Sequence, residues 1–153
     1  MVYLEDVSDV VVEDAGQVIL VNCSRMRVEN LNPSNTTIGV QLWTTSNTTI
    51  IGNNITNNNE YGIQLYYSSN NSISGNHITH NSYDGISLRW SSINSIVGNN
   101  ITNSYDGISL YGSYYNSISG NSITANDRYA IELTYSSKNS IYHNNLIDNI
   151  QQV

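Results

Sequence analysis

Asp84 and Asp106 hold matching places one repeat apart, each just ahead of a glycine. If the two repeats stack as neighbouring strands, their carboxyl groups lie about 5 Å apart. That separation suits the acid pair of a retaining glycosidase or half of a calcium site. Tyr61 and Tyr129 fill the same place in the flanking repeats, so no third acid joins the column, although Glu60 can approach from the side. Asp before Gly is also ordinary turn chemistry in solvent. Three readings therefore stay open: a turn, a sugar or calcium contact, or catalysis.

His77 and His80 lie three residues apart, and His143 is three repeats away. A metal site needs three or four converging ligands, and these positions supply no such set. No phosphate loop, CxxC, HExxH or nucleophile–base–orienter set is present. No cofactor is implied, and calcium at the aspartate pair is the one ion to consider.

Aromatic residues give the second candidate surface. Trp43, Tyr66, Arg89 and Tyr111 fall in one outward column, and Tyr67, Trp90 and Tyr135 in the next, with Tyr114 and Tyr115 added nearby. Stacked about 4.8 Å apart, they would line one edge of a rod. Flat rings bordered by Asn, Ser and Gln offer a glycan both apolar and hydrogen-bonding surface, and an apolar patch with a polar rim also serves protein partners. Cross-strand stacking that only stabilises the sheet is the plain alternative.

The elements that would position these groups are written in the repeats. Ile50, Ile73, Ile96, Ile118 and Ile141 are spaced 23, 23, 22 and 23 residues apart, and between them recur GIQL from Gly62, GISL from Gly85 and Gly107, and AIEL from Ala130. Helical periodicity is absent; each unit has three short extended pieces with β-branched residues at alternate positions. Such pieces gain ladders only by stacking on the next unit. The pattern therefore predicts an all-β, single-stranded, right-handed parallel β-helix of about six coils of 22–23 residues, forming a rod about 30 Å long.

One domain is expected over residues 1–153: irregular first coils over 1–35, regular repeats over 36–149, and a C-terminal end over 150–153. Alternation sends Ile63, Leu65, Ile86 and Leu88 inward and Gln64, Ser87, Ser109 and Glu132 outward. Asn53, Asn76, Asn99, Asn121 and Asn144 form one asparagine column. Asn71, Asn94, Asn116 and Asn139 form a second. Asn58, Asn81, Asn126 and Asn149 form a third, with Asn103 nearby in the short coil. Asn suits left-handed turns and side-chain amide ladders. Gly52, Gly75, Gly98 and Gly120 precede the first column, at places where a Cβ is expected to crowd, and His143 breaks that series.

The formal charge of −7, with only 5 Lys and Arg against 12 Asp and Glu, argues against nucleic-acid backbones and anionic membranes. No apolar run is long enough to insert in a bilayer. Cys23 is the only cysteine and reads as a small buried hydrophobe. Six N-x-S/T sequons occur, and no signal peptide is visible, which fits a cytoplasmic protein or a piece of an exported one. The apolar C-terminal residues Ile147, Ile150 and Val153 would allow end-to-end self-association or continuation into a longer chain.

The motif GISLRWSSINSIVGNNIT from Gly85, with its relatives one coil before and after, resembles the NosD-like group of parallel β-helix proteins, also described as carbohydrate-binding and sugar-hydrolase β-helix domains. The resemblance covers about Val18 to Asn149. It implies an extracellular or cell-surface location and roles that range over copper delivery, polysaccharide processing and surface-layer architecture. Met1, Met26, Cys23 and the scattered histidines form no soft-ligand cluster for copper. The related lyases and hydrolases set acids beside Arg or Lys, whereas here only Arg89 lies anywhere near Asp84 and Asp106. The favoured expectation is a non-catalytic module binding carbohydrate or a protein partner along the aromatic edge. The rivals are a polysaccharide-active enzyme using the aspartate pair and a purely structural surface component.

Overall fold

A computed structural model describes all residues, 1–153, and shows a right-handed parallel β-helix without a helix. Each regular coil turns through three walls because its three short strands are separated by corners too tight for ordinary backbone. Four residues per coil in the left-handed region bend the chain, two of them between the first and second walls: in one coil Tyr67 (φ 49°), Asn70 (59°), Gly75 (62°) and His80 (55°), and in the next Trp90 (47°), Ile93 (59°), Gly98 (65°) and Asn103 (52°). The first wall is a seven-stranded sheet that includes Val40–Trp43, Ile63–Tyr66, Ile86–Arg89, Ile108–Tyr111 and Ile131–Thr134. The second wall also has seven strands, and the third has five, from Asn54–Thr56 to Asn145–Ile147. All pairings are parallel and in the register of the repeats: Ile63 pairs with Ile86 and Ile86 with Ile108 on the first wall, and Ile55 with Ile78 and Ile78 with Ile101 on the third.

The inward isoleucines and leucines of the regular coils are buried and form one continuous core, which opens at the last coil, where Leu133 is exposed and Ile141 and Leu146 are partly buried. Burial at about 1.5–3 kcal/mol per aliphatic side chain supplies the main drive to stack coils. What fixes their register is polar. The residue after each left-handed corner is buried with its N–H pointing along the axis, and the side-chain oxygen of the equivalent residue in the following coil accepts that bond. Asn76 N donates to Asn99 Oδ1 at 3.0 Å and Asn99 N to Asn121 Oδ1 at 2.9 Å; Asn71 N donates to Asn94 Oδ1 at 2.9 Å. A fourth ladder, absent from the sequence reading, uses hydroxyls: Ser68 N donates to Ser91 Oγ and Ser91 N to Ser113 Oγ, both at 3.0 Å.

Three expectations need correction. The ladder asparagines are not the left-handed residues, because those stand one place earlier, where any side chain can point to solvent. Ser104, not Asn103, carries the third ladder through the short coil, accepting from Asn81 N at 3.4 Å and donating through its own N to Asn126 Oδ1 at 3.1 Å. Gly75 and Gly98 take positive φ, as His143 does in the same column, and have open space where a Cβ would stand; the crowded glycine is Gly85, whose Cβ would meet Ile101 Cγ2 at 2.5 Å and Gly107 O at 2.8 Å.

The first coil is shorter than the rest. Val2 pairs with Val18 and Val11 with Arg27, steps of 16 residues, and this coil contributes no strand to the third wall. The strand Val2–Glu5 was not foreseen; Val18–Val21 pairs with Val40–Trp43 as the repeat requires. The two ends of the rod therefore differ in outline.

Replacing Asn99 with Ala would strip the acceptor from the buried Asn76 N–H and Nδ2 and remove the bond from Asn99 Nδ2 to Ile73 O at 3.0 Å. Losses of this kind cost about 1–3 kcal/mol per orphaned group, so the unfolding free energy from urea titration should fall by ~2 kcal/mol or more, with a lower midpoint. Exposed Asn100→Ala should stay within about 0.5 kcal/mol.

Candidate functional site

The outward side of the first wall brings both sequence candidates onto one surface. Its middle is polar. Gln41 Nε2 donates to Gln64 Oε1 at 2.8 Å, Ser109 Oγ donates to Glu132 Oε2 at 3.1 Å, and Ser87 lies between them in register. Gln64 and Ser87 point outward as alternation requires, yet they are buried.

At the C-terminal end of the strands the aromatic edge forms as a continuous stack. Trp43 and Tyr66 are stacked with ring centres 4.2 Å apart, and Tyr67 and Trp90 are stacked at 5.2 Å. Tyr66 packs edge-on to Trp90, Trp90 to Tyr111 and Tyr111 to Tyr135, at 5.2, 5.6 and 5.6 Å. The left-handed backbone at Tyr67, Trp90 and Tyr135 turns those rings away from the core, and Tyr135 is 76% exposed. Gly112 interrupts their column because a Cβ there would stand 2.9 Å from Trp90 Cδ1. Arg89 occupies the predicted backbone position between Tyr66 and Tyr111, but its side chain leaves the aromatic edge. Its Nη2 donates to the Tyr61 hydroxyl at 3.1 Å, beyond the opposite end of the strand.

That opposite end carries the aspartates and a second group of rings that sequence reasoning missed: Tyr61, Tyr83, Tyr105 and Tyr129. Tyr61 and Tyr83 pack with ring centres 5.7 Å apart, and the Arg128 guanidinium carbon lies 4.8 Å from the ring centres of both Tyr105 and Tyr129. Asp84 and Asp106 do stack in adjacent coils, with Gly85 N donating to Asp106 O at 2.8 Å. They are not solvent-exposed turn residues: Asp84 is 7% and Asp106 1% exposed. Nor is Arg89 the only nearby cation. Arg128 forms a two-pronged pair with Asp106, through Nε to Oδ1 at 3.0 Å and through Nη2 to Oδ2, and its Nη2 also meets Glu132 Oε2 at 3.0 Å. Tyr129 N donates to Asp106 Oδ1 at 2.9 Å.

Asp84 stands differently. Burial foremost, and the neighbouring Asp106 charge next, push its carboxyl up to about 7; Ser87 and Arg89 pull it back less than those raise it, and Glu132 adds to the rise. A carboxyl that holds its proton near neutrality can donate a hydrogen bond or a proton.

His77 is exposed beside Asn100, with Nδ1 3.3 Å from Asn100 Nδ2, and His80 Nδ1 lies 2.8 Å from its neighbour Thr79 Oγ1. Cys23 and Met26 are buried in the core, Cys23 with Sγ against Leu4 O and Val21 O. A separate open groove of about 550 Å³ runs along the second wall, floored by hydroxyls of Thr49, Ser72, Ser95 and Ser117.

With this geometry in place, comparison with known proteins gives the family. A model of the periplasmic copper-binding protein NosD matches residues 4–153. The chain belongs to the NosD family. No curated protein matches it. Among solved structures it is similar to the periplasmic alginate epimerase AlgG, at TM-score 0.68 and 17% identity over 99% of this chain and 47% of that one. The Dettilon tailspike protein gp208 aligns at TM-score 0.70 and 17% identity over 86% of this chain and 35% of that one. The Azotobacter vinelandii mannuronan C-5 epimerase AlgE4 A-module aligns at 0.62 and 14% over 98% and 54%. At such identities the likeness is one of fold, and the chain spans about half the length of the epimerases and about a third of the tailspike. Copper, named for the NosD family, does not fit the side chains here: nowhere do three His, Cys, Asp or Glu converge, and the buried Cys23 and Met26 face the core.

Unfolded Asp84 ionises near the ordinary 3.8, whereas the folded group keeps its proton to about 7. Its contribution to stability is whole below about pH 4, declines as pH rises and is gone above about pH 7. Asp84→Asn, which mimics the protonated acid, should raise the thermal midpoint over the parent at pH 8. The gain should shrink steadily as pH is lowered and approach zero near pH 4, and a pH-independent gain in scanning calorimetry would contradict this behaviour of Asp84.

Proposed function

We propose that this protein is an exported or surface β-helix module that binds carbohydrate along the outward side of its first wall. The observation that carries this reading is the exposed ring stack from Trp43 through Tyr66, Tyr67, Trp90 and Tyr111 to Tyr135, running beside a row of amides and hydroxyls. Rings offer sugars flat apolar faces, and the half-buried Gln41 and Ser109 side chains beside them supply donors and acceptors that orient hydroxyl groups. Because the rings sit on a ladder-locked scaffold, little freedom is lost when a ligand lands on them. Its likeness in fold to alginate epimerases and a tailspike, and its membership of a family named as periplasmic, support the location and the ligand class.

A second reading has one specific observation in its favour. Asp84 lies in the coil next to Asp106, and the unlike surroundings of the two carboxyls are what an acid–base pair in polysaccharide cleavage or epimerisation requires. Against it stand the burial of both groups and the engagement of Asp106 by Arg128 and Tyr129.

A glycan array with the parent and the Tyr67→Ala/Trp90→Ala variant tests the binding reading. The parent should retain a defined set of glycans, and the variant should bind them more weakly by about fivefold or more, as expected for loss of two stacking rings worth about 0.5–1.5 kcal/mol each. Unchanged binding by the variant would overturn the aromatic edge as the site. Release of unsaturated or reducing products by the parent but not by Asp84→Asn would instead establish the catalytic reading.

A further inference from the structure

We propose that the first-wall surface selects neutral glycans and rejects uronate-type polyanions, with Glu132 as the residue that enforces the choice. This rests on the carbohydrate-binding reading above and names its ligand class. A polyuronate needs free cations to meet its carboxylates, and the two cations on this surface are engaged. Arg128 is held by Asp106 and by Glu132 and is sandwiched between the rings of Tyr105 and Tyr129. Arg89 lies over Tyr61 and bonds its hydroxyl. Against these stand the carboxylates of Asp106 and Glu132, with Asp84 only partly ionised near neutral pH, on a chain of net charge −7. The remaining floor is uncharged: Gln41 and Ser109 are half-buried and reachable, with Gln64 and Ser87 buried between them. A polyanion approaching it meets repulsion that salt screens over about 8–10 Å, while hydroxyl groups of a neutral sugar meet amides and hydroxyls that can donate or accept.

Glu132 is the pivot because it sits in register beside Ser109, accepts its hydroxyl proton and also holds Arg128. Replacing it with Gln removes one negative charge and frees part of the Arg128 guanidinium without disturbing the Arg128–Asp106 pair.

The experiment is titration calorimetry of the full chain with cellohexaose, mannohexaose and N-acetylchitohexaose as neutral probes, and with oligoalginate and oligogalacturonate as anionic ones, at low and high salt. At least one neutral probe should bind with a salt-independent affinity. Both anionic probes should bind about tenfold or more weaker at low salt, a gap that narrows as salt is added. Glu132→Gln should strengthen the anionic probes several-fold while leaving the neutral ones within twofold. Anionic oligomers that bind as well as neutral ones, or a Glu132→Gln variant that leaves the gap intact, would overturn the charge-selection proposal while the carbohydrate reading stands. Failure of every probe to bind would overturn both.

Discussion

The structure depends on one hydrogen bond, repeated: the buried N–H that follows each left-handed corner, donated to a side-chain oxygen in the following coil. A corner this tight turns its next amide along the rod axis and out of reach of the strand ladders. Left unpaired in the core, it would carry a full desolvation penalty. Asn answers twice, since its Oδ1 accepts from the coil before while its Nδ2 donates to a backbone carbonyl there, as Asn99 does to Ile73 O. Ser and Thr answer once, with a hydroxyl that also bonds a carbonyl, as Ser113 Oγ does to Leu88 O. Each such residue has to stand directly beneath its counterpart, so the ladders impose the period on everything between them.

From that constraint follows the tolerance of the fold where the ladders are silent. The coil containing Asp106 is one residue short, yet every wall stays in register because the loss falls between Ser104 and Asp106, after the last ladder residue and before the next strand. Asn81 and Asp84 are three residues apart, as are Asn126 and Tyr129, whereas Ser104 and Asp106 are two. At that one irregular turn Asp106 engages the Tyr129 amide and Arg128 of the following coil. A regular scaffold thus carries its irregular chemistry at the corner that does not hold the register.

How much could be read beforehand divides along the same line. The isoleucine columns, the strand register, the asparagine columns and the alignment of Trp43, Tyr66 and Tyr111 all follow from period alone, and period is visible in a string of letters. Placing the Cβ crowding at Gly75 rather than Gly85 was an error of another kind. Both recur once per coil, and only the path of the chain tells which takes positive φ and which faces Ile101. Arg128 was missed because it stands one place ahead of the aspartate column and reaches it by the length of its side chain. The signal available was its position, one coil beyond Asp106 and next to Tyr129, which already lay in that column. The Ser68–Ser91–Ser113 ladder was hidden because serine is common in this chain and its column is short of asparagine.

The same distinction bears on function. Features repeated in every coil are accounted for by folding, so the search narrows to what the scaffold does not require. The rings at Tyr67, Trp90 and Tyr135 meet that condition, because the corner they occupy is equally served by Asn22, Thr44 or Gly112 elsewhere in the same column. Stacking on neighbours accounts for part of their presence, yet Tyr135 stands at the edge of the stack, 76% exposed. The buried Asp84 meets the condition too, since Tyr61 and Tyr129 fill its place in other coils. A buried carboxyl beside a second one works against stability at neutral pH. Its placement beneath the ring-lined surface, within reach of Ser87 and Arg89, ties that destabilising group to the face of the rod that carries the rings.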